Sequence, residues 1–517
     1  MLNVAINLQI FNDWGMILDL FIFLSVAISF FCHWQKNEAA VKTVFYLYLC
    51  LSIGLIIAGC ISIYIDQDEL ENLHCSWMIS KGLVPFRDFW QHHSPLFWIT
   101  LAPVIQLFKP SILIINISRI SAISTYLGSC FIGWRIAKVV WKESADLSFY
   151  LLIFASVTLG SQFFCLRPDM LIILLLLLGI RFILMVPKGG FLPIFCAGIC
   201  MGLAESFAPK QFLLLLLPLI TIVAFTNKNR FLKIIIYGFG LAVGIAPLFI
   251  YLLKEGLLND FLFWVCAFNL QMQVLITDFP LFLLGSSLWA SVLLIKRYKD
   301  FNNQESLILF FAFLLSTLSC FNVTIPGLSK YYNSLWCILC AIVSSGLNVS
   351  EVLRPVKSIL YKGLIVGVMG AVLVMPNMKA LNKMSDFYSD KENIKKILGY
   401  SRYGSVFVLL NQHPIFSYDV SRLYGGWQLK FMKKNNVIRD DVKHHGGIVA
   451  RIITRKPSII QMMTTDGEGI FEKLYLEGII TENDLRRLKH FLMKEYVATT
   501  IGDFVYMVRK DIKSYAP

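Results

Sequence analysis

A series of apolar runs, each close to twenty residues long, constrains this chain more than any other feature. They lie at about 14–33, 43–65, 112–134, 147–164, 169–186, 191–207, 211–226, 233–253, 279–295, 305–323, 332–349 and 358–376. A helix rises 1.5 Å per residue, so about 20 residues cross a hydrocarbon core roughly 30 Å thick. Many of these residues are β-branched or aromatic. An open sheet would nevertheless leave backbone groups unsatisfied in lipid, so the runs are expected to be helices. The sequence thus predicts a polytopic α-helical membrane protein with about twelve spans, and 95–110 reads as a further short or re-entrant helix. With 57% hydrophobic and 15% charged residues, the composition excludes a purely soluble enzyme, a disordered chain and a disulfide-rich secreted module.

The net charge of +14 resolves into place once the spans are drawn. Lys36 and Lys42 share a loop. Arg135, Lys138 and Lys142 follow, then Lys188, then Lys228, Arg230 and Lys233, then Lys296, Arg297 and Lys299, then Arg354, Lys357 and Lys362. Every second loop is basic, which assigns that set to the cytoplasm. The outer set is then 66–94, the Arg167 turn, the Lys210 turn, 254–278, 324–331 and everything after 376. The N-terminus starts outside without a basic n-region, so no cleaved signal peptide is expected. The remaining positive charge sits in the C-terminal region. A basic surface beside a bilayer meets anionic membrane lipids more naturally than nucleic acid, and no nucleic-acid motif is present. The 12 cysteines lie mostly in apolar runs. Cys337-x-x-Cys340 falls inside a span with no partner pair, so it reads as buried thiols rather than a metal or redox site.

The composition changes after Met375-Pro376. Residues 1–376 form the multi-spanning domain, and 377–517 are polar enough for a small extracytoplasmic α/β domain. Val406–Leu410 and Phe504–Val508 read as short buried strands, and Ser458-Ile459-Ile460 opens a third. Glu482–Tyr496 has helical spacing, with Leu485, Leu488, Phe491 and Leu492 on one face.

The chemistry concentrates in the outer loop 66–94. Asp66, Asp68, Glu69 and Glu71 crowd the end of the second span, and His74, His92 and His93 are three of the eight histidines. Residues 68–81 are expected to form an amphipathic surface helix, with Trp77, Phe86, Phe89 and Trp90 at the membrane interface. A carboxylate there can take the proton of an acceptor hydroxyl, and cations can stabilise a departing phosphate. Each of these side chains also has a plain alternative, capping a helix or bonding the loop backbone.

The run Asp68-Glu69-x-Glu71-x-x-His74-x-x-Trp77, then Gly82-x-x-Pro85-Phe86-x-Asp88-Phe89 and His92-His93-x-Pro95-Leu96-Phe97-Trp98, resembles the first outer loop of bacterial GT-C glycosyltransferases. Within that superfamily it is similar to the protein O-mannosyltransferase and aminoarabinose transferase branch. The resemblance is strong over 66–104 and weakens to turns and topology beyond. It implies a GT-C-like fold in the bacterial inner membrane. It also implies a polyprenyl-phosphate sugar as donor, a lipid, glycan or protein acceptor, and inverting transfer of a hexosyl or pentosyl group. Some such enzymes use a divalent metal, Mg or Mn, and others do not. Asp68 holds the family's Asp-Glu position and is favoured as the base. Asp66 is a close second, and Glu69 stands beside them. Glu71, His74, Asp88, His92 and His93 are candidate substrate contacts. Gln91 departs from the pattern, because relatives often carry an acid there.

Three cations at the outer face complete the candidate set. Arg167 either pairs with Asp169 at a helix start or faces substrate. Lys210 either pairs with Glu205 or contacts the donor phosphate. Lys330, with Tyr331, is either an interfacial anchor or a third contact. The rival reading is a transporter or flippase. Such proteins usually place their charges near mid-membrane in related halves, whereas the ionisable cluster here lies in one outer loop.

Overall fold

The computed structural model describes residues 67–89, 91–107, 113–142, 145, 150, 166–209, 212–226, 228–267, 304–322, 334–345, 393–400, 402–407, 448–462, 469–476, 480–501 and 504–515. The expected spans 14–33, 43–65, 279–295 and 358–376, and nearly all of 147–164, lie outside these residues. The chain divides into two compact units. One comprises 1–63, 118–251 and 273–385, the other 64–117, 252–272 and 386–517.

The first unit is helical. It contains most of α3 (Leu113–Trp141), then α4 (Pro168–Ile183), α5 (Leu192–Phe207), α6 (Leu216–Phe225), most of α7 (Arg230–Glu255), α8 (Gln304–Asn322) and α9 (Ser334–Ser344). Seven of the expected spans coincide with these helices, although α3 runs seven residues beyond the expected 134, the expected 332–349 extends past the described residues after α9, and a short 3-10 turn, Phe212–Leu215, opens the run ahead of α6. Two stretches, Pro168–Lys188 and Arg230–Glu255, have the length and apolarity to cross a membrane. Along α7, Phe231, Ile235, Phe239 and Val243 repeat every fourth residue and are exposed. Apolar side chains that the protein leaves uncovered on one helical stripe suit contact with lipid.

The opposite side of α7 meets α5 through two interlocking glycine pairs. Gly198 and Gly202 on α5 face Gly240 and Gly244 on α7. A Cβ on Gly198 would stand 2.6 Å from the Tyr237 carbonyl oxygen, and one on Gly202 would stand 2.5 Å from that of Leu241. A Cβ on Gly244 would stand 2.5 Å from the Ile199 oxygen. The missing side chains let the two backbones touch, which is how helices associate where no hydrophobic drive separates lipid from protein.

Two further contacts join helix ends that the basic loops put on one side of the membrane. Trp141 Nε1 donates to the Ile342 carbonyl at 2.8 Å. Lys188 Nζ lies 3.3 Å from Glu305 Oε1.

The second unit gathers the stretches 64–117, 252–272 and 386–517. Its C-terminal part is a four-stranded mixed sheet of order β1-β2-β4-β3, with β1 Val406–Phe407, β2 Ile459–Gln461, β3 Tyr496–Ile501 and β4 Phe504–Arg509. β1 runs parallel to β2, and the other pairs are antiparallel. Three helices accompany the sheet: α10 (Ile448–Arg455), α11 (Ile470–Leu476) and α12 (Glu482–Glu495). Ile397, Tyr400, Val406, Ile459, Ile501, Tyr506, Val508 and Ile512 form its core. A capping box starts α12: Thr481 Oγ1 accepts from the Asp484 amide at 3.1 Å, and Asp484 Oδ2 accepts from the Thr481 amide at 3.2 Å. Leu488 and Leu492 are buried, as the helical spacing predicts. Of the expected strand 406–410, residues 408–410 lie outside the described residues.

Candidate active site

The outer-loop motif folds as a helix, a tight loop and a second helix. Gln67–Ser80 is α1 and Leu96–Leu107 is α2, and the two pack against each other. Asp68 and Glu69 occupy the first turn of α1, where acidic side chains complement the helix dipole. Gly82 ends the helix at φ +82°, with Leu83 N–H donating to the Met78 carbonyl at 3.1 Å and Gly82 N–H to that of Ile79 at 2.9 Å. This is a Schellman turn, and its left-handed residue explains the glycine of the motif. The loop then tightens around Asp88, whose Oδ2 accepts from the Val84 amide at 2.7 Å while its own amide donates to the Val84 carbonyl at 2.8 Å. Phe86, at φ +65°, sits inside that turn with its ring buried. A bulky residue held there costs on the order of 1–3 kcal/mol, which the closed turn and the buried ring offset.

The helix is not a surface helix. Leu70, Leu73, Cys75, Trp77 and Met78 are buried, and so are Glu69, Asn72, His74 and Ser76. Of the aromatics expected at the membrane interface, Trp77, Phe86 and Phe89 are likewise inside the protein, each below 8% exposed, and Trp90 lies outside the described residues. The apolar and polar residues of α1 are interleaved around its circumference, so neither face is free for lipid.

Residues 68, 71, 72 and 75 recur at helical spacing and share one face of α1. That face meets the returning segment 91–98. Gln91, fully buried, donates to Glu71 Oε1 and reaches Cys75 Sγ at 3.3 Å. Its own oxygen accepts from the His92 amide at 3.3 Å. Trp98 Nε1 donates to Asn72 Oδ1 at 2.7 Å, and Asn72 Nδ2 donates to the Asp68 carbonyl at 2.8 Å. A hydrogen-bonded chain therefore runs from α2 through Asn72 to the backbone of Asp68. Burial, then the negative charge of Glu71, pushes the Cys75 thiol well above the ordinary thiol range.

Asp68, Glu69, Glu71 and His74 on α1 and Asp88, His92 and His93 in the loop all belong to the second unit, and Gln91 links Glu71 to the His92 amide. His74 stacks on Trp77 with ring centroids 5.8 Å apart, and the His92 and His93 rings lie 4.0 Å apart. Asp88 closes the turn and lies 3.7 Å from Arg87, which also reaches Glu255 at 3.9 Å. Arg167 belongs to the first unit. Its Nε lies 3.3 Å from Asp169 Oδ2, both side chains about nine-tenths buried, at the Pro168 start of α4. The ion pair expected at that helix start is thus present. Asp66, Lys210, Lys330 and Tyr331 lie outside the described residues. Among the described residues, no group of three or more His, Cys, Asp or Glu side chains is arranged to hold a metal ion. Sequence reasoning gave no role to Asn72, Cys75 or Trp98. The shared face of α1 was the available signal.

No protein-family model matches the sequence, and no curated protein is significantly similar to it. Solved structures are more informative. ArnT from Cupriavidus metallidurans, bound to undecaprenyl phosphate, aligns with a TM-score of 0.59 at 10% sequence identity, over 91% of this chain and 98% of that one. The apo form of the same protein aligns at 0.58, again at 10% identity, over 92% and 99%. The chain has the ArnT fold. The likeness is one of fold, and it falls in the aminoarabinose transferase branch that the outer-loop motif resembles. The likeness to ArnT covers nearly the whole of both chains.

Proposed function

We propose that the chain is an integral membrane glycosyltransferase that takes a sugar from a polyprenyl-phosphate carrier and passes it to an acceptor on the outer face of the membrane. The observation that carries this reading is the placement of the carboxylate-bearing face of α1 in an ArnT-like fold. Asp68, at the start of that face, acts as general base toward the acceptor hydroxyl, with Asp66 its rival for the role. Glu71, His92 and His93 orient the acceptor, and Arg167 and Lys210 meet the donor phosphate. Sugar transfer proceeds by displacement with inversion. One ArnT crystal structure holds undecaprenyl phosphate, which makes that lipid the first ligand to try here. Saturating undecaprenyl phosphate is expected to raise the Tm of the purified protein, since a ligand at 100-fold its Kd adds about 2.7 kcal/mol. An unchanged Tm across saturating concentrations counts against the reading.

Residues 64–117, 252–272 and 386–517 form one compact unit, and Arg87 reaches Glu255 within it. This supports putting the C-terminal domain on the outer face beside the loop. A topology reporter fused after residue 376 is expected to be active only outside the cytoplasm; activity confined to the cytoplasm overturns the orientation.

A further inference from the structure

Gln91 is fully buried, and its carboxamide engages three neighbours at once. Nε2 donates to the Glu71 carboxylate and lies 3.3 Å from Cys75 Sγ, while Oε1 accepts from the His92 amide at 3.3 Å. These bonds span 20 residues of sequence and tie the active face of α1 to the segment that carries the histidine pair. A buried amide meets its full set of partners only where they are fixed, and each partner lost would cost about 1–3 kcal/mol. The titratable groups along this face are Asp68, Glu71 and Cys75 on α1, with His92 and His93 in the loop. The 12 residues of α2 contain no charged or titratable side chain.

We propose that Gln91 is a positioning residue of the candidate active site, a neutral donor that holds the Glu71 carboxylate and the His92–His93 segment in one arrangement. The inference rests on the transferase reading and deepens it. Its chemistry depends on neutrality. An amide can donate to a carboxylate at any pH in the working range. A carboxyl in its place can donate only while it shares a proton with Glu71, because two carboxylates within hydrogen-bond distance cannot both ionise without strong repulsion.

The test is the pH profile of Gln91→Glu, read as the ratio of variant to wild-type turnover with a polyprenyl-phosphate sugar. At pH about 5.5 the shared proton mimics the amide and the ratio stays near one; by pH about 8 both groups ionise and the ratio falls roughly tenfold or more. Alkylation of Cys75, followed at each pH against wild type, is expected to accelerate in parallel, since the thiol loses its cover. The swap Glu71→Gln/Gln91→Glu restores one donor and one acceptor. It is expected to restore at pH 8 the Tm that Gln91→Glu loses through the paired carboxylates, even if Gln91→Glu alone accumulates poorly. A flat turnover ratio in an active background overturns the positioning role, as does a swap variant no better folded at pH 8 than Gln91→Glu. Wild-type protein that turns over no donor overturns the transferase reading and this inference with it.

Discussion

Asp68→Asn is expected to lower turnover by about 10²–10⁴-fold, the usual contribution of a general base, while the Tm stays within a degree or two of wild type. The side chain keeps its size, and losing one acidic charge from the first turn of α1 costs only about 0.3–1 kcal/mol. Asn72 Nδ2 bonds the backbone carbonyl of Asp68, which the substitution leaves in place, so the hydrogen-bonded chain to Trp98 survives the change. Initial rates with a polyprenyl-phosphate sugar give the turnover, and a thermal melt gives the stability. Asp66→Asn is the companion measurement. If Asp68 is the base, Asp66→Asn retains most of the activity; a reversed pattern moves the role to Asp66. Full activity in both variants removes the proposed base.

The second large effect lies in the helical unit. Gly202→Val is expected to lower the Tm in detergent by many degrees and to reduce the yield of folded protein. The first carbon of the new side chain would stand 2.5 Å from the Leu241 carbonyl oxygen and 3.1 Å from Gly244 Cα, both backbone atoms. Neither can rotate away, so α5 and α7 must separate. Overpacking typically costs 1–3 kcal/mol, and here the separation also opens the contacts around Ser206, whose Oγ bonds the Gly202 carbonyl at 2.8 Å. Gly238→Ala is the control. A Cβ at Gly238 meets nothing within 4 Å, and Ala is a better helix former than Gly, so the Tm is expected to hold or rise slightly. Equal losses in the two variants would mean that general flexibility of α7, not the α5 contact, sets the stability.

The helices were legible because lipid imposes one rule on every span. Length and apolarity alone located α4, α5, α7 and α8 to within a few residues. Physical reasons also explain what sequence reading missed. β3 begins at Tyr496, the residue that caps α12, so no turn residue marks the change from helix to strand and the helical periodicity runs straight into it. The burial of α1 was hidden by its composition. The polar residues Glu69, His74 and Ser76 are enclosed, and only tertiary packing supplies that enclosure. The motif itself pointed to the correct fold, and Gly82 and Asp88 of that motif turned out to shape the loop backbone. Gln91 stood out in sequence only as a departure from an acidic position. Its partners, Glu71 and Cys75, lie 20 and 16 residues away, a separation that no local pattern reveals.

The central claim is transfer from a lipid-linked donor. The most direct measurement is an assay on purified protein in proteoliposomes, with a panel of polyprenyl-phosphate sugars and a mixed pool of envelope lipids, glycans and proteins as acceptors. The account predicts time-dependent appearance of free polyprenyl phosphate together with labelled acceptor for at least one donor, abolished by Asp68→Asn or by Asp66→Asn. Donor that crosses the bilayer intact, with no sugar released or transferred, would contradict it and favour a flippase.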